Sequence, residues 1–208
     1  DKKGIVLIFD ECTSGFRETF GGLHLKYKIY PDIAIFGKAL GNGYAINAII
    51  GKKEIMETVN STFISSTFWT ERIGSVAALA TLKEMELNQS WKRLISIGKK
   101  IKSNWKQFSE IYALNINING LDALPSFNFN SINDNAYKTF ITQEMLKNKI
   151  LASNVVYTSI THDNGILNKY FKNLDKVFKE ISLCENQKKN IHNLLETDEC
   201  ITGFGYKK

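Results

Sequence analysis

Two side chains, Asp10 and Lys38, stand where chemistry is easiest to build. Each closes a short apolar run: Ile5-Val6-Leu7-Ile8-Phe9 leads into Asp10-Glu11, and Ile33-Ala34-Ile35-Phe36 leads through Gly37 into Lys38. Runs that are apolar without alternation read as strands covered on both faces, as in a helix-flanked parallel sheet. Ligands of open α/β sheets bind outside the carboxyl ends of the strands. Two neighbouring parallel strands would therefore carry Asp10 and Lys38 to one rim. A lysine amine at a partly desolvated position loses its charge more readily and becomes a nucleophile towards an aldehyde, while a carboxylate close by shifts both pKa values. Gly37, Gly41 and Gly43 leave room there for backbone and ligand to approach.

Competing readings attach to each residue. A lysine after a strand is most often solvated, and an aspartate there also suits a turn or a helix N-cap. A phosphate-binding P-loop is excluded, because the places for its first glycine and its hydroxyl residue hold Asp32 and Ala39. A dinucleotide fingerprint is excluded too, since Tyr44, Ala45 and Ile46 follow Gly41-Asn42-Gly43 without a third glycine. Arg17 reads either as an anion ligand or as a structural partner of Glu11 or Glu18, and His24 as a loop residue. Ser65-Ser66-Thr67, ahead of a long helical segment, fits both an anion site and an N-cap.

The 208 residues, 43% hydrophobic, suffice for one large or two modest domains. A net charge of +6 invites a nucleic-acid reading, but the lysines are spread along helix-like segments and arginine is scarce, which disfavours it. Cys12, Cys184 and Cys200 form neither a CxxC pair nor an even framework, so no metal site or disulfide scaffold is indicated and a reducing cytoplasm is the natural compartment. No apolar run approaches the roughly 20 residues that span a bilayer, and no signal peptide is recognisable. The first residue, Asp1, leads almost at once into a strand, and the expectation is a later part of a longer protein.

These side chains need elements to hold them. The long stretch Cys12 to Pro31 reads as a loop at the ligand end of the sheet, with a short helix around His24 to Tyr30. Ile46 to Gly51 reads as another strand and Lys52 to Val59 as a short helix. Glu71 to Leu87 reads as a helix with an apolar face at Ile73, Val76, Ala77 and Ala80. From Asn88 the texture changes. Trp91, Leu94, Ile101, Trp105, Phe108 and Tyr112 recur at helical spacing. LNINI and LPSFNFN read as strands, residues 136–148 as a helix and ILASNVVYTSI as a further strand. A last helix starts at Asp163 as N-cap, with Leu167, Tyr170, Phe171, Leu174, Val177, Phe178 and Ile181 on its buried face. Helices layered on an antiparallel sheet form an α+β unit.

IFDECTSGFR, PDIAIFGKALGNGY, SSTFWTERIGSVAALATL and the trailing α+β texture together resemble the class III, pyridoxal-phosphate-dependent aminotransferases, within them the glutamate-1-semialdehyde aminomutase-like branch. The closing TGFGYKK is similar to that family's last segment. The resemblance implies an α/β fold: residues 1–88 as the later part of a type I PLP-transferase large domain, then residues 89–208 as the small C-terminal α+β domain. It implies that Asp10 binds the ring nitrogen of pyridoxal 5'-phosphate and that Lys38 holds the cofactor as a Schiff base and is catalytic. Cys12 would be a small group packed on the ring, and Thr67 would give its hydroxyl to the cofactor phosphate across a homodimer interface. After Thr67-Phe68 this chain has Trp69-Thr70-Glu71-Arg72 where the family has a Ser-Gly-Asn-Pro type of turn, which leaves the substrate range open. The implied activity is amino transfer between a small-molecule donor and a carbonyl acceptor, an amino-sugar or surface-polysaccharide precursor being one candidate. A 2,1-aminomutase is the first alternative and a non-catalytic fragment or binding module the second. No nucleic-acid or membrane partner is expected. Because the family's phosphate loop and ring-stacking residue belong to sequence upstream of Asp1, these residues alone are expected to be inactive.

Overall fold

The computed structural model describes residues 3–201, and the chain divides into two compact units between Ile95 and Ser96. The TGFGYKK segment lies outside the described residues. In the first unit, β1 (Ile8–Asp10), β2 (Ile33–Phe36) and β3 (Ala48–Gly51) form a sheet in that order. β1 and β2 run parallel, with Ile8 opposite Ile33 and Asp10 opposite Ile35, whereas β3 returns antiparallel with Ala48 opposite Phe36. The parallel ladder extends past both strand ends. Asp32 N and Ile33 N donate to Leu7 O at 2.8 and 3.1 Å, and Glu11 N donates to Ile35 O at 2.8 Å. The buried carboxylate of Asp32 accepts from Leu7 N at 2.8 Å and pairs with Lys52 Nζ at 2.7 Å, so one side chain joins the approach to β1, the start of β2 and the exit of β3. The Leu7 amide and then Lys52 hold its carboxyl below the usual carboxylate range.

Residues alternate across a strand, and in β2 Ala34 and Phe36 face a small core with Leu40 and Ala78, to which Phe16, Ile46, Ala48 and Leu82 add. Among the described residues β1 is not covered on both faces in the way its apolar run implied. Ile5 to Ile8 are exposed, Ile8 by 52%, as is Ile49, which lies opposite Ile35 on the second face. Among the described residues the core forms on one face of the sheet only.

Short helices α1 (His24–Tyr27) and α2 (Lys53–Met56) lie where the sequence places them. α3 (Arg72–Asn88) begins at Glu71, which makes no side-chain cap, and Ser65 to Thr67 stay in the preceding loop. Its buried face is Gly74 and Ala78, not the expected one: Ile73 and Val76 are exposed. Close approach explains the choice, because a Cβ on Gly74 would lie 2.5 Å from the carbonyl oxygen of Ala45, in the chain that follows Lys38. The smallest residues, not the most apolar, set which way this helix faces.

α4 (Ser90–Ile111) passes through the division. The second unit adds β4 (Ile116–Leu121), β5 (Leu124–Phe129), α5 (Asp134–Lys147) and α6 (Asn164–Glu185). β4 and β5 pair antiparallel through the Asp122-Ala123 turn. Every apolar position assigned to the buried face of α6 is buried, and Asp163 caps the helix by accepting from Ile166 N at 2.8 Å. Trp105, Phe127, Tyr137 and Phe178 are the large centre of the core, where Trp105 Nε1 donates to Tyr170 Oη at 3.0 Å. Residues 150–160, expected as a strand, make only one bridge, Val155 with Ser126. Pro125 accepts from Val156 N at 3.0 Å but has no N–H to return, and the Asn154 side chain donates to Phe127 O at 2.8 Å. No helix among the described residues is long and apolar enough to cross a membrane.

Gly98 on α4 seats the hairpin turn, for a Cβ there would fall 1.4 Å from Asp122 O. Gly98→Ala is expected to destabilise the second unit by at least the ~1–3 kcal/mol typical of overpacking, read as a lower urea midpoint for the Trp105 fluorescence transition. An unchanged midpoint would contradict this packing.

Candidate functional site

The site begins with the parallel pairing of β1 and β2. Asp10 ends β1, and Phe36 ends β2 with Gly37 alone before Lys38, so both residues lie at the carboxyl rim. Asp10 is exposed, and its Oδ1 accepts from Cys12 N at 3.0 Å. The amide and side chain of Cys12, with a further contribution from the Lys38 charge, hold its carboxyl below the ordinary aspartate range despite some desolvation. Cys12 is half-buried beside it. Burial first, then contact with Asp10, pushes the thiol up and favours its protonated form.

Lys38 opens a single 3-10 turn, Lys38–Leu40, and its carbonyl accepts from Gly41 N at 3.2 Å and Asn42 N at 3.1 Å. Its backbone is left-handed, with φ of 43°, uncommon for a side-chain-bearing residue. Gly37 before it is extended, and a Cβ there would lie 2.4 Å from Asn47 Oδ1. Gly41 permits the tight return of the chain, since a Cβ would lie 2.2 Å from Tyr44 O. The Lys38 ammonium donates to the Thr13 hydroxyl. Asp10, Cys12 and Lys38 are thus gathered at one rim. Thr67 is exposed in the loop before α3, and no contact among the described residues joins it to them.

The sequence offers Glu11 only as one possible partner of Arg17. The Glu11 side chain is buried, 3% exposed, and holds the long loop in place. Ser14 Oγ donates to Oε2, as does Leu23 N at 2.9 Å, while His24 N at 2.9 Å and His24 Nδ1 at 3.0 Å reach Oε1. A carboxylate only accepts, which places the proton on Nδ1. Burial works against the Glu11 charge, but the Ser14 hydroxyl, the two amides and the His24 ring together outweigh it and hold the carboxyl below its usual range. The signal was the acidic pair itself: adjacent residues at a strand end point to opposite faces, so one of the two acids had to turn inward. His24, expected in a loop, opens α1 and serves there as a structural partner of Glu11. Arg17 donates from Nε to Thr13 O at 3.2 Å, and Glu18 pairs with Lys26 at 2.5 Å.

A cavity of about 350 Å³ lies against Phe9, Asp10, Glu11, Ser14 and His24. A larger one, about 510 Å³, belongs to the second unit and is lined by Ile150, Val156, Leu167 and Tyr170 among others, none of them singled out for chemistry.

Solved structures share this fold. The FumI protein of Sphingopyxis sp. MTA144 superposes with a TM-score of 0.82 at 20% identity, covering 94% of this chain and 48% of that one. An omega-transaminase from Sphaerobacter thermophilus gives 0.77 at 18%, covering 86% and 45%. The fold is that of the later part of the type I PLP-transferases. The sequence profile described as "Aminotransferase class-III" matches residues 1–197, and the chain belongs to that family. A 3-aminobutyryl-CoA aminotransferase from Cloacimonas acidaminovorans is 34% identical over 139 residues, 66% of this chain and 34% of that protein. A glutamate-1-semialdehyde 2,1-aminomutase from Methanocaldococcus jannaschii is 28% identical over 196 residues, 86% of this chain and 46% of that protein. The chain spans less than half the length of these curated relatives.

Folding lowers the pKa of Glu11, so the unfolded chain binds that proton more readily. The resulting stabilisation is complete above the ordinary glutamate value of about 4.3 and is lost as pH falls through the folded value. Glu11→Gln is expected to cost about 1–3 kcal/mol at pH 7, to speed proteolysis between Cys12 and Pro31, and to flatten the fall in thermal midpoint as pH drops below the ordinary glutamate value of about 4.3. Identical acid profiles for the two proteins would remove Glu11 from this role.

Proposed function

We propose that the protein carrying this chain transfers an amino group between a small-molecule donor and a carbonyl substrate, using pyridoxal 5'-phosphate. The observation that carries the reading is the parallel pairing of β1 with β2, which presents an ionised carboxylate, Asp10, and an amine, Lys38, at one strand-end rim in a class III aminotransferase chain. The residues present fit the cofactor: a carboxylate held charged suits a protonated ring nitrogen, and an amine at the rim suits the aldehyde. When bound, the cofactor supplies an electron-withdrawing ring that accepts the electrons left when a carbon beside the amine loses its proton.

The chain's own groups do the rest. Lys38 would be the nucleophile towards the aldehyde and, as a free amine, the base that moves a proton at the substrate carbon. Asp10 keeps the ring nitrogen protonated, and the Cys12 amide keeps Asp10 charged and aimed. Cys12 acts as a small packing group, its thiol held protonated. Thr67, free of the rim in this chain, serves the cofactor phosphate across a homodimer interface. Residues 1–88 form the later part of the cofactor domain and residues 89–208 the small domain. Turnover draws on groups beyond these 208 residues, in a cytoplasmic enzyme.

The 28% identity to glutamate-1-semialdehyde 2,1-aminomutases extends over 85–86% of the chain, which favours an intramolecular aminomutase as the second reading. An amino-sugar precursor remains a candidate acceptor on the sequence resemblance alone.

In the full-length protein, Lys38→Ala is expected to abolish turnover and the visible absorbance of lysine-bound cofactor. Turnover at the parent rate would refute the assignment. Asp10→Ala is expected to retain cofactor while slowing turnover by about 10²-fold or more, in the range of proton-transfer contributions. Labelled amino nitrogen supplied on a separate donor should appear in the product of a transaminase and not in that of an aminomutase.

A further inference from the structure

Lys38 is exposed, and its four-carbon stem carries roughly 2 kcal/mol of rotamer entropy. An amine so placed sweeps a wide volume unless something holds it. The natural captor is Asp10, whose carboxylate is close enough for the Lys38 charge to contribute to its lowered pKa. Yet the group that accepts the Lys38 proton is the hydroxyl of Thr13.

We propose that Thr13 is the positioning residue for Lys38, its hydroxyl holding the amine at the strand-end rim away from Asp10 in both the charged and the neutral form. This rests on the reading of Lys38 as the residue that attacks the aldehyde.

Thr13 is itself well anchored. Its carbonyl accepts from Arg17 Nε at 3.2 Å, and it lies within the turn closed by Gly15 N donating to Glu11 O at 2.7 Å. A β-branched side chain has few rotamers, so the hydroxyl oxygen is a fixed point. The buried Glu11 carboxylate stands at the start of this turn and reaches on to Ser14, which ties the position of Thr13 to the core of the unit.

The chemistry of a hydroxyl matters as much as its place. It is acceptor and donor at once, whereas a carboxylate only accepts. A lysine ammonium can donate to the Thr13 oxygen. Once the proton has left, the Thr13 O–H can turn and donate to the free amine. Asp10 could hold only the charged form, and in doing so it would be spent on an ion pair. With Lys38 tethered to Thr13, the Asp10 charge is not committed to an ion pair with the amine and stays available for a cationic ring nitrogen.

The test uses the full-length protein stripped of cofactor, as the parent, Thr13→Val and Thr13→Ser. Each is mixed with pyridoxal phosphate and reduced with borohydride after set times, and the modified lysine is identified and quantified by peptide mass spectrometry. Loss of a hydrogen bond to a charged group is worth roughly a factor of ten. Thr13→Val is therefore expected to slow labelling of Lys38 about tenfold with an unchanged unfolding midpoint, and Thr13→Ser to restore it to within about threefold of the parent. Equal labelling of Lys38 in all three proteins, or a serine variant as slow as the valine one, overturns the role of Thr13 alone. Labelling of the parent at a lysine other than Lys38 overturns the reading of Lys38, and this proposal with it.

Discussion

The constraint beneath the whole first unit is the register between β1 and β2. Side chains in a strand alternate, so slipping the pairing by one residue would send Asp10 to the other face of the sheet. Several contacts hold the register at both ends. Before the strands, the Asp32 carboxylate takes the Leu7 amide and Lys52; after them, Glu11 N donates to Ile35 O. None of these groups touches the candidate chemistry, yet all of them decide where Asp10 and Lys38 stand. The strands themselves are short, and much of their alignment is held by polar groups outside them.

Two neighbouring carboxylates at the end of β1 meet opposite requirements. Glu11 turns inward, where an unpaired charge would be costly, and is saturated with donors from Ser14, Leu23 and His24. Asp10 turns outward with one backbone amide and a thiol for company. The inward acid fastens the loop and the outward one faces the rim, so a change to either is felt by the turn that carries Thr13.

Much of this was legible in the residues. The strand ends at Asp10 and before Lys38, the short helix at His24, the N-cap at Asp163 and the buried face of α6 follow from apolar spacing and capping chemistry. What was not legible has identifiable causes. The orientation of α3 depends on Gly74 meeting the Ala45 carbonyl, a contact between segments distant in sequence that periodicity cannot see. The continuous apolar run at Ile5 to Phe9 implies two covered faces, but coverage is a property of neighbouring elements. The segment at 150–160 has strand-like composition and lies along a strand whose Pro125 cannot donate. The burial of Glu11 was not legible because acids at strand ends are usually solvated, and its partners lie in a stretch without periodicity.

One backbone angle has an evolutionary corollary. At Lys38 the main chain adopts a left-handed twist that side-chain-bearing residues enter at a penalty of about 1–2 kcal/mol. Glycine would relax there, and asparagine would tolerate the position better than lysine does. A directed-evolution campaign that rewarded heat resistance alone would accordingly drift away from lysine at this site, whereas one that rewarded turnover would keep it. Robustness and reactivity here draw on the same torsion and pull it in opposite directions.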